Sequence, residues 1–301
     1  MSYTGISLTK DFTIDELFSV HFFEYMNDFS FAGESHNFWE FLCVDCGEVE
    51  VVSDNRHYTL KRGEIIFHKP NEFHRLRANG LVAPNLIVVS FSCHSPLMTF
   101  FEDKILTIGE TEKNLLGSII IEAKNAFVSK LDDPYLKALE RSPNYYPGAE
   151  QLISLYLEQL LIHMYRRYTA SYRQIPVSQS IKQRNDNDTY ARIVTYLENN
   201  ISSHLTVEQI CRANLIGSSQ LQKLFHEKHG CGVIDFFSKM KINESKRMIR
   251  NQSLNFTQIA DRLGYTSIHY FSRQFKKITG MSPSQYASSI KLLAEEPNTG
   301  E

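Results

Sequence analysis

The sequence predicts an α+β chain of two unlike halves: an N-terminal β-barrel or jelly roll followed by a helical segment, and a C-terminal all-α domain carrying two helix-turn-helix motifs. Three observations predict it. Short β-runs separated by turn residues crowd the stretch from Phe22 to Phe91. Near the C-terminus one apolar pattern occurs twice at an offset of about fifty positions, a range in which a period implies a duplicated supersecondary unit. Charge divides along the same line. Counting Lys and Arg against Asp and Glu, residues 1–187 carry −6, residues 188–294 carry +7 and the last seven carry −3, so the whole-chain value of −2 conceals a basic C-terminal half.

The β-runs are Phe38–Val44, Glu48–Val52, His57–Leu60, Glu64–Phe67 and Leu86–Phe91, with Cys46-Gly47, Ser53-Asp54-Asn55 and Lys61-Arg62-Gly63 as the turns between them. Two helical patterns follow, Glu112–Lys130 and Ala149–Tyr168, the second opening at the turn signal Pro147-Gly148. Within it Ile153, Leu157, Leu160 and Met164 advance by four, three and four. That is the spacing of a coiled-coil seam, and equally of one helix stripe packed on its own barrel. Residues 171–187 are polar, with Pro176 and a run ending in Lys182-Gln183-Arg184-Asn185-Asp186-Asn187, and read as a linker. The acidic stretch at the end of the chain, taken as 292–301, reads as a disordered tail.

In the repeat, Ile210, Leu221, Phe225, Gly230 and Phe236 recur as Ile259, Phe271, Phe275, Gly280 and Tyr286, the later copy holding one extra residue between its two short helices. Thr206…Gln209 opens the first copy and Asn255…Gln258 the second, each the reciprocal cap that starts helices. Leu221, Leu224 and Phe225, then Phe271, Phe275 and Ile278, form the buried stripe of each second helix. The opposite faces carry Ser218, Ser219, Gln222, Lys223 and His226 in copy one, and Ser267, His269, Ser272, Arg273 and Lys276 in copy two. Such side chains suit base edges and phosphates.

The run Ile259-Ala260-x3-Gly264-Tyr265-x4-Tyr270-Phe271-Ser272-Arg273-x-Phe275-Lys276-Lys277-x2-Gly280-Met281-Ser282-Pro283-x2-Tyr286 resembles the AraC/XylS family of bacterial transcription regulators, and Lys241-Ile242-x2-Ser245 resembles that family's long joining helix. The resemblance covers residues 188–291 and implies a double helix-turn-helix DNA-binding domain. Carried over by position, the base-reading residues are Ser219, Gln222 and Lys223 in copy one and His269, Ser272 and Arg273 in copy two. Copy one departs from the pattern at Cys211, where Ala is usual, at Gly217, where a capping Ser is common, and at Ser219, where a larger contact residue is usual.

The stretch His36-x3-Glu40-x6-Gly47, then Gly63-x6-Pro70-x3-His74, resembles the two motifs of the cupin barrel, the usual sensor half of the same family. It implies that residues 1–170 form an effector-binding and dimerisation domain, with Ile153, Leu157, Leu160 and Met164 as the dimer seam. Alternation places Glu34, His36, Phe38, Glu40 and Leu42 on one face and Trp39, Phe41 and Cys43 on the other; the resemblance makes the first set interior. The effector residues are then His36, Phe38, Glu40 and His74, holding a small polar molecule such as a sugar or related metabolite. Metal-binding cupins offer a His-x-His pair, a Glu and a later His; here Glu34 stands in for the first His. Because AraC-type sensors generally work without a metal, the expectation is no metal, no cofactor and no catalytic residue. The alternative is a metal-dependent cupin enzyme fused to a DNA-binding module.

The chain of 301 residues, 42% hydrophobic and 22% charged, has the composition of a globular protein with room for two cores. It shows neither a long apolar run nor a charged-then-apolar leader, and its five cysteines are odd in number and scattered. The expectation is a cytoplasmic homodimer with reduced thiols that is not an enzyme. Its partners are double-stranded operator or promoter DNA, a small effector and RNA polymerase, with no membrane.

Overall fold

The computed structural model describes residues 3–144, 146–169 and 181–294, without the side chains of 181–188 and 291–294. The described residues divide into two compact units, an N-terminal one running to Thr169 and a C-terminal one beginning at Ile181.

The described residues of the N-terminal unit form nine strands: β1 (Glu16–Glu24), β2 (Ser30–Glu34), β3 (Trp39–Cys46), β4 (Glu48–Ser53), β5 (Arg56–Lys61), β6 (Glu64–His68), β7 (His74–Ala78), β8 (Asn85–Ser92) and β9 (Ile105–Thr107). They lie in two antiparallel sheets, β1-β8-β3-β6-β9 and β2-β7-β4-β5. The five expected strands are present; four gain one or two residues, and β3 starts one residue later than expected, at Trp39, and ends two later, at Cys46. The other four carry weak local signals. β1 loses its alternation at a register shift between Leu17 and Ser19, β2 contains Gly33, β7 reads His-Arg-Leu-Arg-Ala, and β9 has three residues.

Burial explains the strand patterns. β4 alternates half-buried and buried, because one face meets the interior and the other does not. β3 is buried at every position from Trp39 to Val44, because its sheet is covered on both faces. Leu42 and Val44 point between the sheets, against Val49, Val51, Leu60, Ile66 and Val88. Trp39, Phe41 and Cys43 point outward, into a second core beneath α1 (Glu110–Ala126) and α2 (Ala149–Thr169).

This second core corrects one expectation. Ile153, Leu157, Leu160 and Met164 are 0–1% exposed, packed with the outer face of the five-stranded sheet and with α1. They are spent within the monomer and offer no seam to a second copy. Four-three-four spacing arises whenever a helix buries one stripe, and the barrel takes the stripe first. Leu155 of α2 and Ile121 of α1 remain outside, at 42% and 60% exposure.

The C-terminal unit holds α3 (Ile181–Asn199), α4 (Val207–Asn214), α5 (Ser218–His229), α6 (Val233–Arg250), α7 (Phe256–Arg262), α8 (Ile268–Thr279) and α9 (Pro283–Ala294). Two boundaries shift. The helix α3 begins inside the expected linker, and α9 runs to Ala294, inside the expected tail; the rest of both segments lies outside the described residues. Both capping boxes form, Thr206 with Gln209 and Asn255 with Gln258. Ile193, Leu197, Ile210, Leu221, Phe225, Val233 and Phe237 make one core around α4 and α5, and Ile259, Phe271, Phe275 and Tyr286 are buried around α7 and α8.

The long helix α6 ties the copies together. Its buried Lys241 donates from Nζ to the Ser203 carbonyl before α4 at 2.8 Å and to the Leu263 carbonyl after α7 at 2.7 Å. Burial pulls the ammonium down to about 8. Gly264, in the left-handed region at φ +67, packs against the Ser202 carbonyl so closely that any Cβ would stand 2.0 Å from that oxygen.

Candidate functional site: a histidine–carboxylate pocket and two exposed helix faces

Glu40 is the centre of the barrel site. On β3 it lies opposite Ser90 of β8 on one side and His68 of β6 on the other, pointing between the sheets. Ser90 donates from Oγ to Glu40 Oε2 at 2.6 Å, and the Ser19 and Ser90 hydroxyls share a hydrogen bond of 2.8 Å. The opposing sheet supplies His74, whose Nε2 stands 3.2 Å from Glu40 Oε1. The bend between β2 and β3 supplies His36, with Nε2 at 3.6 Å from Glu40 Oε2.

The expected alternation from Glu34 to Leu42 therefore does not belong to one strand. Glu34 ends β2 in the other sheet, and residues 35–38 lie outside any strand. Gly33, at φ +107 in a register shift of β2, has Phe73 and the His74 carbonyl where a Cβ would sit; the shift sets Glu34 opposite His74. Glu34 Oε1 lies 3.9 Å from His74 Nε2, on a side chain 51% exposed. Phe38 stacks between Phe18 and His36, with ring centroids at 3.9 and 4.0 Å.

Of the four expected effector residues, His36, Glu40 and His74 converge, and Phe38 borders them through its stack on His36. Three partners carry no sequence signal, since only cross-strand pairing brings them in. His68 stacks on His74 with centroids 4.3 Å apart and shares a 3.1 Å hydrogen bond with Ser53, and the others are Ser90 and Ser19.

The electrostatics match the burial. Desolvation pushes the Glu40 carboxyl up, yet His36, His74 and Ser90 outweigh it and hold it well below the usual carboxylate range. Desolvation also opposes charge on His74, and Glu40 reverses that, raising the imidazole. Burial lowers His68 and His21, and burial with the Glu40 charge raises Glu34. The ligand atoms of Glu34, His36, Glu40 and His74 all lie within 4.8 Å of one another, so among the described residues these four form a group that could hold a metal ion.

The second surface lies on α5 and α8. In α5, Ser218, Ser219, Lys223 and His226 are exposed, while Gln222 is half-buried with its side-chain oxygen turned over Gly232. Lys223 Nζ sits 3.7 Å from Glu227, and His226 is anchored on the Gln222 carbonyl at 3.0 Å. In α8, His269, Arg273 and Lys276 are exposed and Ser272 is half-buried. The guanidinium of Arg273 lies over the Tyr270 ring at 5.4 Å. Ser267 caps its own helix, its Oγ accepting from the Tyr270 N–H at 3.1 Å.

Among the described residues no helix is long and apolar enough to cross a membrane. All five cysteines are free, and burial raises the Cys43 thiol to about 12.

The family profile of the AraC-like ligand binding domain matches residues 19–82, and that of a helix-turn-helix domain matches residues 210–289. An uncharacterized HTH-type transcriptional regulator of Bacillus subtilis, YfiF, is 25% identical over 92% of this chain and 85% of its own. The HTH-type transcriptional activator RhaR of Salmonella dublin is 22% identical over 93% and 95%. The crystal structure of ToxT from Vibrio cholerae superposes over 96% of this chain and 100% of that one at 16% identity with a TM-score of 0.35, too loosely to bear on the fold. These relatives are regulators and give no support to the enzyme alternative. With a ligand-binding profile over the sheets that hold Glu40 and a helix-turn-helix profile over α4 to α9, the chain belongs to the AraC family of transcriptional regulators, joining an N-terminal ligand-binding domain to a C-terminal DNA-binding domain.

Proposed function

We propose that the ligand is a small polar metabolite, with a sugar as one candidate, bound between the sheets by Glu40, His36 and His74 against the Phe38 ring. The observation that carries this reading is a buried carboxylate at the centre of the barrel, surrounded by two imidazoles and a serine hydroxyl. Polar groups desolvated this way are costly unless they serve a ligand or a network. On this reading the N-terminal unit binds its effector and catalyses nothing.

The DNA contacts are assigned to Ser218, Ser219, Lys223 and His226 on α5 and to His269, Ser272, Arg273 and Lys276 on α8. Gln222 joins them if it swings off Gly232, and Ser267 contributes as the cap that orients α8. Two recognition helices held by α6 read major-groove segments about one turn apart, roughly 10 base pairs. The regulator works in the cytoplasm as a homodimer and meets RNA polymerase at the promoter. Since the α2 stripe is buried, any dimer must use another surface; the exposed large apolar side chains on α1 and α2 are Ile121, Leu155 and Tyr168.

The effector acts by linkage: it shifts DNA binding only as far as it prefers one conformation. Glu40→Gln keeps shape and removes charge. It is expected to weaken effector binding by about 1.5–3 kcal/mol in calorimetry while leaving the DNA affinity of the effector-free full chain unchanged. Unaltered effector affinity in both Glu40→Gln and His36→Ala proteins moves the pocket elsewhere.

A further inference from the structure

Arg273 is exposed on α8, yet its guanidinium has a seat. The ring of Tyr270, three positions earlier and so its neighbour on the helix surface, lies beneath it, with 5.4 Å from the guanidinium carbon to the ring centroid. That ring is itself restrained. The Tyr270 N–H is bound by Ser267 Oγ at 3.1 Å, and Tyr265 packs on the ring with centroids 6.0 Å apart. Tyr265 in turn packs on the buried ring of Phe271 at 5.3 Å and lies 5.3 Å from Nζ of Lys241, the lysine that α6 fixes on two carbonyls. The seat of Arg273 therefore continues into the core of copy two instead of ending in a loose side chain.

Copy one has no such arrangement. An offset of fifty sets Gln220 at the position of Tyr270 and Lys223 at that of Arg273. Gln220 is exposed and offers no ring, and Lys223 leans toward Glu227 at 3.7 Å. Aromatic ring and guanidinium occur together in copy two and are both missing from copy one.

We propose that Tyr270 is a positioning residue for sequence recognition: its ring holds the Arg273 guanidinium ready for a guanine edge. A guanidinium is planar and weakly hydrated, so it stacks on a ring through its face while its N–H donors project in its own plane. A ring can thus restrain the arginine without occupying the two donors that guanine O6 and N7 accept from. A carboxylate partner would occupy them. The restraint matters because a long side chain surrenders rotamer freedom when it grips a base, and an arginine already held surrenders less. A cation over an exposed ring corresponds to a factor of about two to five in binding. The proposal rests on reading α8 as a recognition helix with Arg273 as its base-reading arginine.

The test uses the full chain and the duplex that it selects from a random pool, with every base pair of that site then varied and affinities read by fluorescence anisotropy. Arg273→Ala should relax the preference for guanine at one base pair. Tyr270→Leu should lower the preference at that same base pair by about two- to fivefold and leave the other positions as they were. Tyr270→Phe, which keeps the ring, should retain it, and Tyr270→Leu should add nothing in an Arg273→Ala background. A distorted α8 gives a different pattern, a loss of affinity for all sequences together. Unchanged guanine preference in Tyr270→Leu, with Arg273→Ala still relaxed, overturns the positioning role and leaves Arg273 as the reader. A Tyr270→Leu loss that persists without the arginine, or an equal loss in Tyr270→Phe, overturns it too, because the ring or its hydroxyl then meets DNA directly. A silent Arg273→Ala removes the reading of α8 and the proposal with it.

Discussion

The two helix-turn-helix copies share a plan and solve its sharpest corner differently. In copy one the left-handed position at the end of α4 falls on Leu215, at φ +51 and 94% exposed. In copy two the extra residue lets Leu263 stay at φ −92, buried, and passes the left-handed position to Gly264. The second helices differ likewise: Ser267 caps α8 with its hydroxyl, whereas Gly217 at the start of α5 makes no side-chain cap. Copy two therefore meets each local requirement with a residue that suits it, and copy one leaves two of them strained or unfilled. The difference predicts a stiffer, better-aimed recognition helix in copy two, the copy that also carries Arg273 over Tyr270 where copy one carries Lys223 beside Glu227.

The largest effect that can break this comparison comes from the two corners. Gly264→Ala forces a side chain into a left-handed backbone and onto the Ser202 carbonyl, and is expected to cost about 3 kcal/mol or more in urea denaturation of the C-terminal unit. Leu215→Gly, at an exposed site with the same backbone sign, should instead be neutral or stabilising by up to about 1 kcal/mol. Equal losses at both positions would mean that the corners are equivalent and the asymmetry has no energetic content.

A smaller effect sharpens the comparison on DNA. Arg273→Ala should cost about 1–3 kcal/mol and relax specificity at one base pair, because a guanidinium can grip a guanine edge with two donors. Lys223→Ala should cost less, since its ammonium already has Glu227 at 3.7 Å. Lys276→Ala should weaken all sequences alike and lower the salt slope by about one. Fluorescence anisotropy on operator and scrambled duplexes at several salt concentrations separates these; a larger loss in Lys223→Ala would make copy one the stronger reader.

The smallest effect lies in the caps. Ser267→Ala removes the acceptor of the Tyr270 N–H and is expected to lower stability by about 1 kcal/mol. Gly217→Ser, where a Cβ meets nothing within 4 Å, should raise it by a few tenths of a kcal/mol. If the serine at 217 gives no gain, the start of α5 is limited by something other than its cap.

Legibility in the sequence followed the range of the interactions. The capping pairs Thr206–Gln209 and Asn255–Gln258 are local, and both formed as read. The strands from β3 to β6 and β8 were legible because turn residues bracket them, but β7 was not, since only its pairing with β2 and β4 makes a strand of His-Arg-Leu-Arg-Ala. In the barrel site His36, Glu40 and His74 could be named from motif spacing, while His68, Ser90 and Ser19 could not, because their neighbours lie on other strands. The α2 stripe shows the same limit from the other side: spacing announced a buried surface and left open against what.

By itself, then, the sequence determined the helices of the two copies, the two helices after the strands and most of the strands, together with the twofold repeat, the charge division and the residue types at the pocket and on the two exposed helix faces. Those properties depend on neighbours within a few positions along the chain. Only the tertiary structure decided that the Ile153–Met164 stripe belongs to its own barrel, that Gln222 turns onto Gly232 and Ser267 onto its own helix, and that two imidazole nitrogens and two carboxylates meet within 4.8 Å. Each of these is a choice among partners that a side chain could satisfy equally well, and strand pairing and packing across long separations settle which partner is present.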